Sequence, residues 1–366
     1  MDLLDKFRDK NLVLNVIKNS NKLLDDIGQV NFMEVCGTHT VEIFKFGIKK
    51  LFNNNLNLIS GPGCPVCVTG NRYLDTAIAL SRRKDVIITT FGDMMRVPGS
   101  TSSLIEERSA GAEIKVLYSA RDSLKIASDN PDKKVVFLGV GFETTAPTIA
   151  STVKLAEAQN INNFYVLTAH KTMPNAMAAI LASEKVKING FICPGHVSTI
   201  TGIHIYDFIP EQFSVPCVVS GFEPLDIVQS IYSLCKQLYK NIAIVENTYS
   251  RVVRENGNQI AQQILVEVFE ESDEDWRGIG IIPGSGLKFC EEYSRFDAFL
   301  QIPVDVEETI EPEGCRCGEV LRGIITPLEC PLFKNGCSID HPIGACMVSS
   351  EGTCAAYFKY HIEERT

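Results

Sequence analysis

No apolar run in this chain approaches the roughly 20 residues needed to cross a bilayer. Even its most hydrophobic stretches, 85 to 90 and 134 to 140, are strand-length and end in polar groups. The opening residues Met1 to Arg8 lack the cationic-then-apolar run and small-residue cleavage site of a signal peptide. They read instead as the start of an amphipathic helix, so a cytoplasmic location is expected. Basic charge is also scarce: 45 acidic residues against 35 basic ones give a net charge of -10. That balance disfavours a nucleic-acid surface, and no local basic groove is visible. A GxxxxGK[ST] phosphate loop is missing, and GVGFET at 139 to 144 does not complete the GxGxxG pattern, so nucleotide chemistry finds little support. Low charge, 22% against 45% hydrophobic residues, excludes wholesale disorder. A length of 366 residues exceeds what a single core usually organises, which predicts two or three domains.

What the chain has in excess is cysteine. Thirteen are present, and in a reducing compartment an odd count argues against a structural disulfide framework and for metal or redox work. They concentrate in Cys36-Gly-Thr-His39, in Cys64-Pro-Val-Cys67 and in a stretch from Cys315 to Cys354. The scattered Cys193, Cys217, Cys235 and Cys290 are assigned to core packing.

From about residue 52 to 250, short β-branched segments alternate with glycine-containing turns and helical spacing, the pattern of an α/β fold. Strands are predicted at 56–60, 86–90, 114–118, 135–140, 164–168, 190–192, 217–219 and 242–245, with a helix over 73–84. The turns after these strands carry Asp93, Glu143, His170, His196 and Glu223. In parallel sheets ligands gather beyond the strand C-termini, so these five are expected to converge. Gly-Phe-Glu recurs at 141–143 and 221–223, with Phe-Gly-Asp at 91–93, a hint of two similar units. A boundary is expected near Asp129-Asn-Pro131-Asp, and the acidic run 267–275 is expected on a solvated surface.

The segment from Glu308 onward is dense in cysteine, glycine and proline and is a poor recipe for a self-sufficient core, so a bound metal could supply the missing stabilisation. Cys315, Cys330, Cys337 and Cys354 are separated by 14, 6 and 16 residues, with Cys317 and Cys346 as further candidates. Four thiolates suit an Fe4S4 cluster or zinc, and spacing alone leaves iron-sulfur, structural zinc and unligated thiols open. Paired CxxC knuckles are absent, which weakens a zinc ribbon.

Cys64 and Cys67 lie in a CxxC loop that follows an apolar strand and precedes a helix, the setting of a redox dithiol; half of a zinc site or an inert pair are the alternatives. At 34 to 42, Cys36, His39 and a carboxylate fall within nine residues. If a helix opens here, Cys36 and His39 share a face as sulfur and nitrogen ligands or as an ion pair; the alternative is that His39 only caps a turn. A cysteine-protease reading leaves the other two thiol groups unexplained.

CGTHT at 36–40, GPGCPVC at 61–67, GFETTAPT at 141–148, PGHVSTITG at 194–202 and the stretch from EGCRCGEVLRG to SSEGTCAAY at 313–357 resemble the hydrogenase maturation factor HypD family. The resemblance covers nearly the whole chain. It implies two similar Rossmann-like parallel-sheet domains, expected at 52–128 and 129–250, and a cysteine-rich third domain built from 1–51 and 251–366 around one Fe4S4 cluster. It further implies a scaffold and redox component for the Fe(CN)2CO moiety of nickel-iron hydrogenase, working with the small chaperone HypC and the cyanide-donating HypE. On that reading Cys36 holds iron transiently while cyanide and carbon monoxide are installed. The alternative is a stand-alone iron-sulfur thiol-disulfide oxidoreductase.

Overall fold

The computed structural model describes residues 6–183 and 185–361. Two parallel sheets form its framework. The first has five strands: β1 (Val30–Glu34), β2 (Leu56–Ser60), β7 (Gly190–Pro194), β8 (Cys217–Ser220) and β9 (Val245–Asn247), in the order β2-β1-β7-β8-β9. The second comprises β3 (Val86–Thr90), β4 (Ile114–Val116), β5 (Lys134–Gly141) and β6 (Phe164–His170), in the order β4-β3-β5-β6. β3, β7 and β8 are buried along their whole length, as expected of parallel strands covered on both faces. An antiparallel hairpin, β10 (Phe269–Trp276) and β11 (Gly280–Phe289), completes the strands.

The expected α/β class and paired parallel sheets are present, but strand pairing groups the chain differently from the expected division. β1, placed with the third domain on sequence, is an interior strand of the five-stranded sheet, between β2 and β7. Its short segment VNFME offers too few β-branched residues to stand out. β3 pairs with β5 across the expected boundary at 128 and 129. The helix Lys10–Ile27 also belongs with the first sheet: it is capped by the Asp9 side chain, buries Val13, Ile17 and Leu24, and packs on the helix Pro224–Tyr239. Residues 1–5, where a helix start was expected, lie outside the described residues.

Most strands match expectation within two residues. The last begins at Val245 instead of 242, and the helix expected over 73–84 runs Asn71–Ser81. The acidic run is a strand as well as a surface: β10 buries Phe269 and Trp276 at its ends and exposes carboxylates between them. Its hairpin ties the two sheets together, bridging Thr69 beyond β2 and Lys171 beyond β6. The cysteine-rich tail forms only short helices, Cys317–Leu321, Ala345–Val348 and Thr353–Tyr360. Thr353–Tyr360 packs on the helix Gly37–Lys45, Ala345–Val348 on Pro65–Val68, and Cys317–Leu321 on Thr353–Tyr360, so the tail shares the central apolar cluster with both sheets. No described helix is long and apolar enough to cross a membrane.

Candidate metal and thiol site

In the five-stranded sheet the chain leaves β1 toward β2 on one side while β7, β8 and β9 continue on the other, so the order reverses between β1 and β7. Crevices at such reversals, beyond the strand C-termini, are where parallel sheets bind ligands. Cys36 follows β1, and His196 follows β7. Cys36 Sγ lies 3.8 Å from His196 Nδ1, and Cys36 is only 2% exposed.

Burial dominates the electrostatics here. It raises the Cys36 thiol above its ordinary range and pushes His39 and His196 each down to about 4. At neutral pH the pocket therefore holds a thiol and two neutral imidazoles, and ligation by a metal would have to displace the thiol proton. His39 Nε2 donates to the carbonyl of Gly221 at 2.9 Å, which leaves Nδ1 bare, and that buried atom has no partner. Phe222 packs against both imidazoles, at 4.9 Å from His39 and 5.3 Å from His196. Glu34 accepts from the Cys36 amide at 3.0 Å and from the Thr40 hydroxyl, and burial pushes it up to about 8. It fixes the turn that presents the thiol.

The CxxC loop lies against this turn. The Gly37 amide donates to the Gly63 carbonyl at 2.9 Å, and a Cβ on Gly63 would fall 2.2 Å from the Cys36 amide nitrogen. Cys64 and Cys67 are joined as a disulfide. Cys67 Sγ then lies 3.9 Å from the carbonyl of Ala345, next to Cys346, whose sulfur is 2.9 Å from that of Cys317. Both are buried. Hydrogen bonds from Cys315 and Cys346 hold Cys317 well below the ordinary thiol range.

Cys315, Cys330, Cys337 and Cys354 surround one cavity of about 20 Å³, together with Cys317 and Cys346 and the apolar Leu332, Phe333 and Met347. Thiols are its only strong donors. That chemistry fits a soft-metal group. Among the described residues no three His, Cys, Asp or Glu side chains converge as ligands of a single ion.

The five strand-end residues do not all meet. His196 joins Cys36, and Glu223 lies on the same sheet edge, but Glu223 caps the helix Pro224–Tyr239 in a reciprocal box with Asp226 and pairs with Arg8. Glu143 and His170 are buried on the second sheet. Glu143 Oε1 accepts from the Met173 amide at 2.7 Å, and His170 Nδ1 meets the Thr168 hydroxyl at 2.8 Å. Asp93 is exposed in the turn after β3. The five were expected together because all follow strands; they belong to two different sheets. Sequence reasoning set Glu34 in the Cys36 motif without giving it a role, and passed over Gly63. Their signal was adjacency to the thiol motifs, which becomes meaningful only when the two loops touch. Cys193, Cys217 and Cys235 are buried in the core as expected, whereas Cys290 is partly exposed.

Residues 11–361 match the family described as hydrogenase formation hypA family, HypD. The chain is 42% identical to the hydrogenase maturation factor HypD of Rhodobacter capsulatus, covering 98% of each chain. It is 41% identical to the HypD of Escherichia coli, over 100% of this chain and 99% of that one, and 42% identical to that of Azotobacter vinelandii, over 98% and 97%. Matched by the family over residues 11–361 and covering 97 to 99% of these relatives at 41 to 42% identity, this chain belongs to the HypD family of hydrogenase maturation factors.

Proposed function

We propose that the protein is a scaffold and redox component that assembles the Fe(CN)2CO moiety of nickel-iron hydrogenase, acting in the cytoplasm with the small chaperone HypC and the cyanide-donating HypE. One observation carries this reading: three thiol groups far apart in sequence form a contiguous series in space, from Cys36 through Cys64–Cys67 and Cys317–Cys346 to the cysteine-lined cavity.

Cys36 is the residue that would hold substrate iron. A thiolate donates strongly to low-spin iron and can stay bound while other ligands arrive. His196 is placed to take the thiol proton as iron binds, and His39, with its bare Nδ1, is a ligand or proton-handling neighbour. Cys315, Cys330, Cys337 and Cys354 would hold the Fe4S4 cluster, with Cys317 as the alternate for Cys315, since all of them line the same cavity. Bound there, the cluster supplies one-electron chemistry. The Cys64–Cys67 disulfide takes up two electrons and two protons to become a dithiol, which suits it to keep the assembling iron reduced or to reset the scaffold.

The decisive experiment is anaerobic co-purification of a Cys36→Ala variant with HypC, followed by infrared spectroscopy. The variant should fold and keep its cluster while losing the cyanide and carbonyl bands. Bands of normal intensity would overturn the assignment. The paired thiols also suit a stand-alone thiol-disulfide oxidoreductase, and turnover by the isolated protein with no iron complex formed would favour that reading.

A further inference from the structure

The chain holds three Asn-Gly bonds, Asn189-Gly190, Asn256-Gly257 and Asn335-Gly336. Such bonds are chemically labile, because glycine has no Cβ to shield its amide nitrogen from the side-chain carbonyl of the asparagine before it. Structure decides which of them reacts. The asparagine Cγ must swing onto the next backbone nitrogen, and hydrogen bonds or packing at either group prevent this until the segment opens locally.

Two of the three are held. Asn189 Oδ1 accepts from the Asn31 amide at 2.9 Å, and Gly190 is buried at the start of β7, in register with Phe32 of β1. The Gly257 amide donates to the Arg254 carbonyl at 3.1 Å, and a Cβ there would fall 2.3 Å from the Gly202 amide nitrogen, so this backbone is wedged against the end of the helix Gly195–Thr201. Asn335-Gly336 differs on every count. Both residues are exposed. The Leu332 carbonyl accepts from the amides on either side, Asn335 at 3.0 Å and Cys337 at 2.9 Å, which leaves the Gly336 amide with no acceptor among the described residues. Asn335 Nδ2 reaches the Pro331 carbonyl at 3.5 Å, too long for a firm hydrogen bond. A Cβ on Gly336 would meet a single side-chain atom, Ile343 Cδ1 at 3.9 Å, so nothing crowds the path of attack.

We propose that Asn335 is a spontaneous modification site: it deamidates through a succinimide ahead of the other two Asn-Gly bonds, and the isoaspartate that forms dislodges Cys337. The Gly336 nitrogen loses its proton and bonds to Asn335 Cγ, the Cγ–Nδ2 bond breaks, and ammonia leaves with that proton. Water then opens the ring, with no change of oxidation state. Opening at the α-carbonyl routes the main chain through the former side chain, which adds a methylene to the backbone and frees an α-carboxylate. Cys337 lies two residues on, in a turn that has no slack for it. Its amide is tied to the Leu332 carbonyl, its carbonyl accepts from the Lys334 amide at 3.2 Å, and its sulfur accepts from the Ile343 amide at 3.4 Å. A longer backbone breaks one of these ties or moves the sulfur out of the cavity it lines. The loss of a metal ligand rests on the cluster reading above; the deamidation does not.

The test ages the cluster-loaded protein anaerobically in neutral buffer, follows the three Asn-Gly peptides by mass spectrometry and measures retained iron in parallel. Deamidation at Asn335 should run roughly tenfold or more ahead of Asn189 and Asn256, which need a local opening first. Asn335→Gln, whose longer side chain closes its ring far more slowly, should hold its iron about threefold longer than wild type, because metal and local fold are coupled. Anion exchange gives the same comparison without a variant: in aged wild-type protein the iron should stay with the unconverted fraction. A rate at Asn335 no greater than at the two held sites overturns the site. Equal iron in converted and unconverted fractions overturns the effect on Cys337. Fresh wild-type protein without iron would defeat the cluster reading itself, while the peptide map would still decide the site.

Discussion

At the scale of single residues, burial does most of the electrostatic work. Glu143 shows how the sign follows. Burial pushes its carboxyl from 4.5 up to about 7, and Oε2 has no partner to favour the ionised form. Between those values the folded protein keeps a proton that the unfolded chain releases, so this residue makes stability fall as pH rises from 4.5 to 7. Glu143→Gln keeps an oxygen for the Met173 amide and cannot ionise. Its unfolding free energy relative to wild type should therefore improve across that window, by up to about 3 kcal/mol. Urea unfolding at several pH values measures this, and a difference that stays constant with pH would refute the assignment of a proton to Glu143. The residue was legible in the sequence as a strand-end carboxylate; its isolation from Cys36 was not, because sequence places it on a sheet edge without saying which sheet.

Among the elements, the turn after β1 and the loop after β2 depend on each other. Parallel pairing of β1 and β2 in register, Val30 with Leu56 through Glu34 with Ser60, brings their C-terminal ends level, so Cys36 and Gly63 meet. All three atoms nearest a Cβ at position 63 are backbone atoms of Val35 and Cys36, at 2.2 to 2.5 Å, and backbone cannot swing aside as a side chain could. Gly63→Ala should cost roughly 1–3 kcal/mol as an overpacking change. It should also loosen the Cys36 turn, seen as faster alkylation of Cys36. Denaturant unfolding and timed alkylation would show both; unchanged values in the variant would mean that the two loops are not in contact. GPGC signals a tight turn in the sequence alone, but only the pairing of β1 with β2 says against what the glycine is tight.

For the whole molecule, the cysteine-rich tail is the part whose stability rests on something other than its own core. Its helices have 5, 4 and 8 residues and share their apolar contacts with the rest of the protein. Anaerobically prepared protein should contain iron and acid-labile sulfide in equal amounts, four of each per chain as an Fe4S4 cluster requires, and no stoichiometric zinc. Stripping the metal should open segment 327–344 to proteases well before either sheet is cut, because a metal-ligand set couples directly to local folding. One zinc without sulfide, or equal protease resistance with and without metal, would sink this view. On the proposed reading, the threading of the tail against Gly37–Lys45 and Pro65–Val68 would give electrons and iron short distances to cross.

Local patterns of the sequence determined the α/β class and most strand positions and pointed to thiol chemistry, because period-two apolar spacing, glycine at turns and cysteine spacing act over a few residues. They also marked Cys36, Cys64 and Cys67 and the four cavity cysteines as separate places where metal or redox work could occur. The tertiary structure alone decided that β1 is an interior strand of its sheet, that strand-end acids on different sheets do not meet, and that Cys317 faces Cys346. These are contacts between residues tens to hundreds of positions apart, set by which strands pair and how the layers stack, and no short-range pattern carries that information.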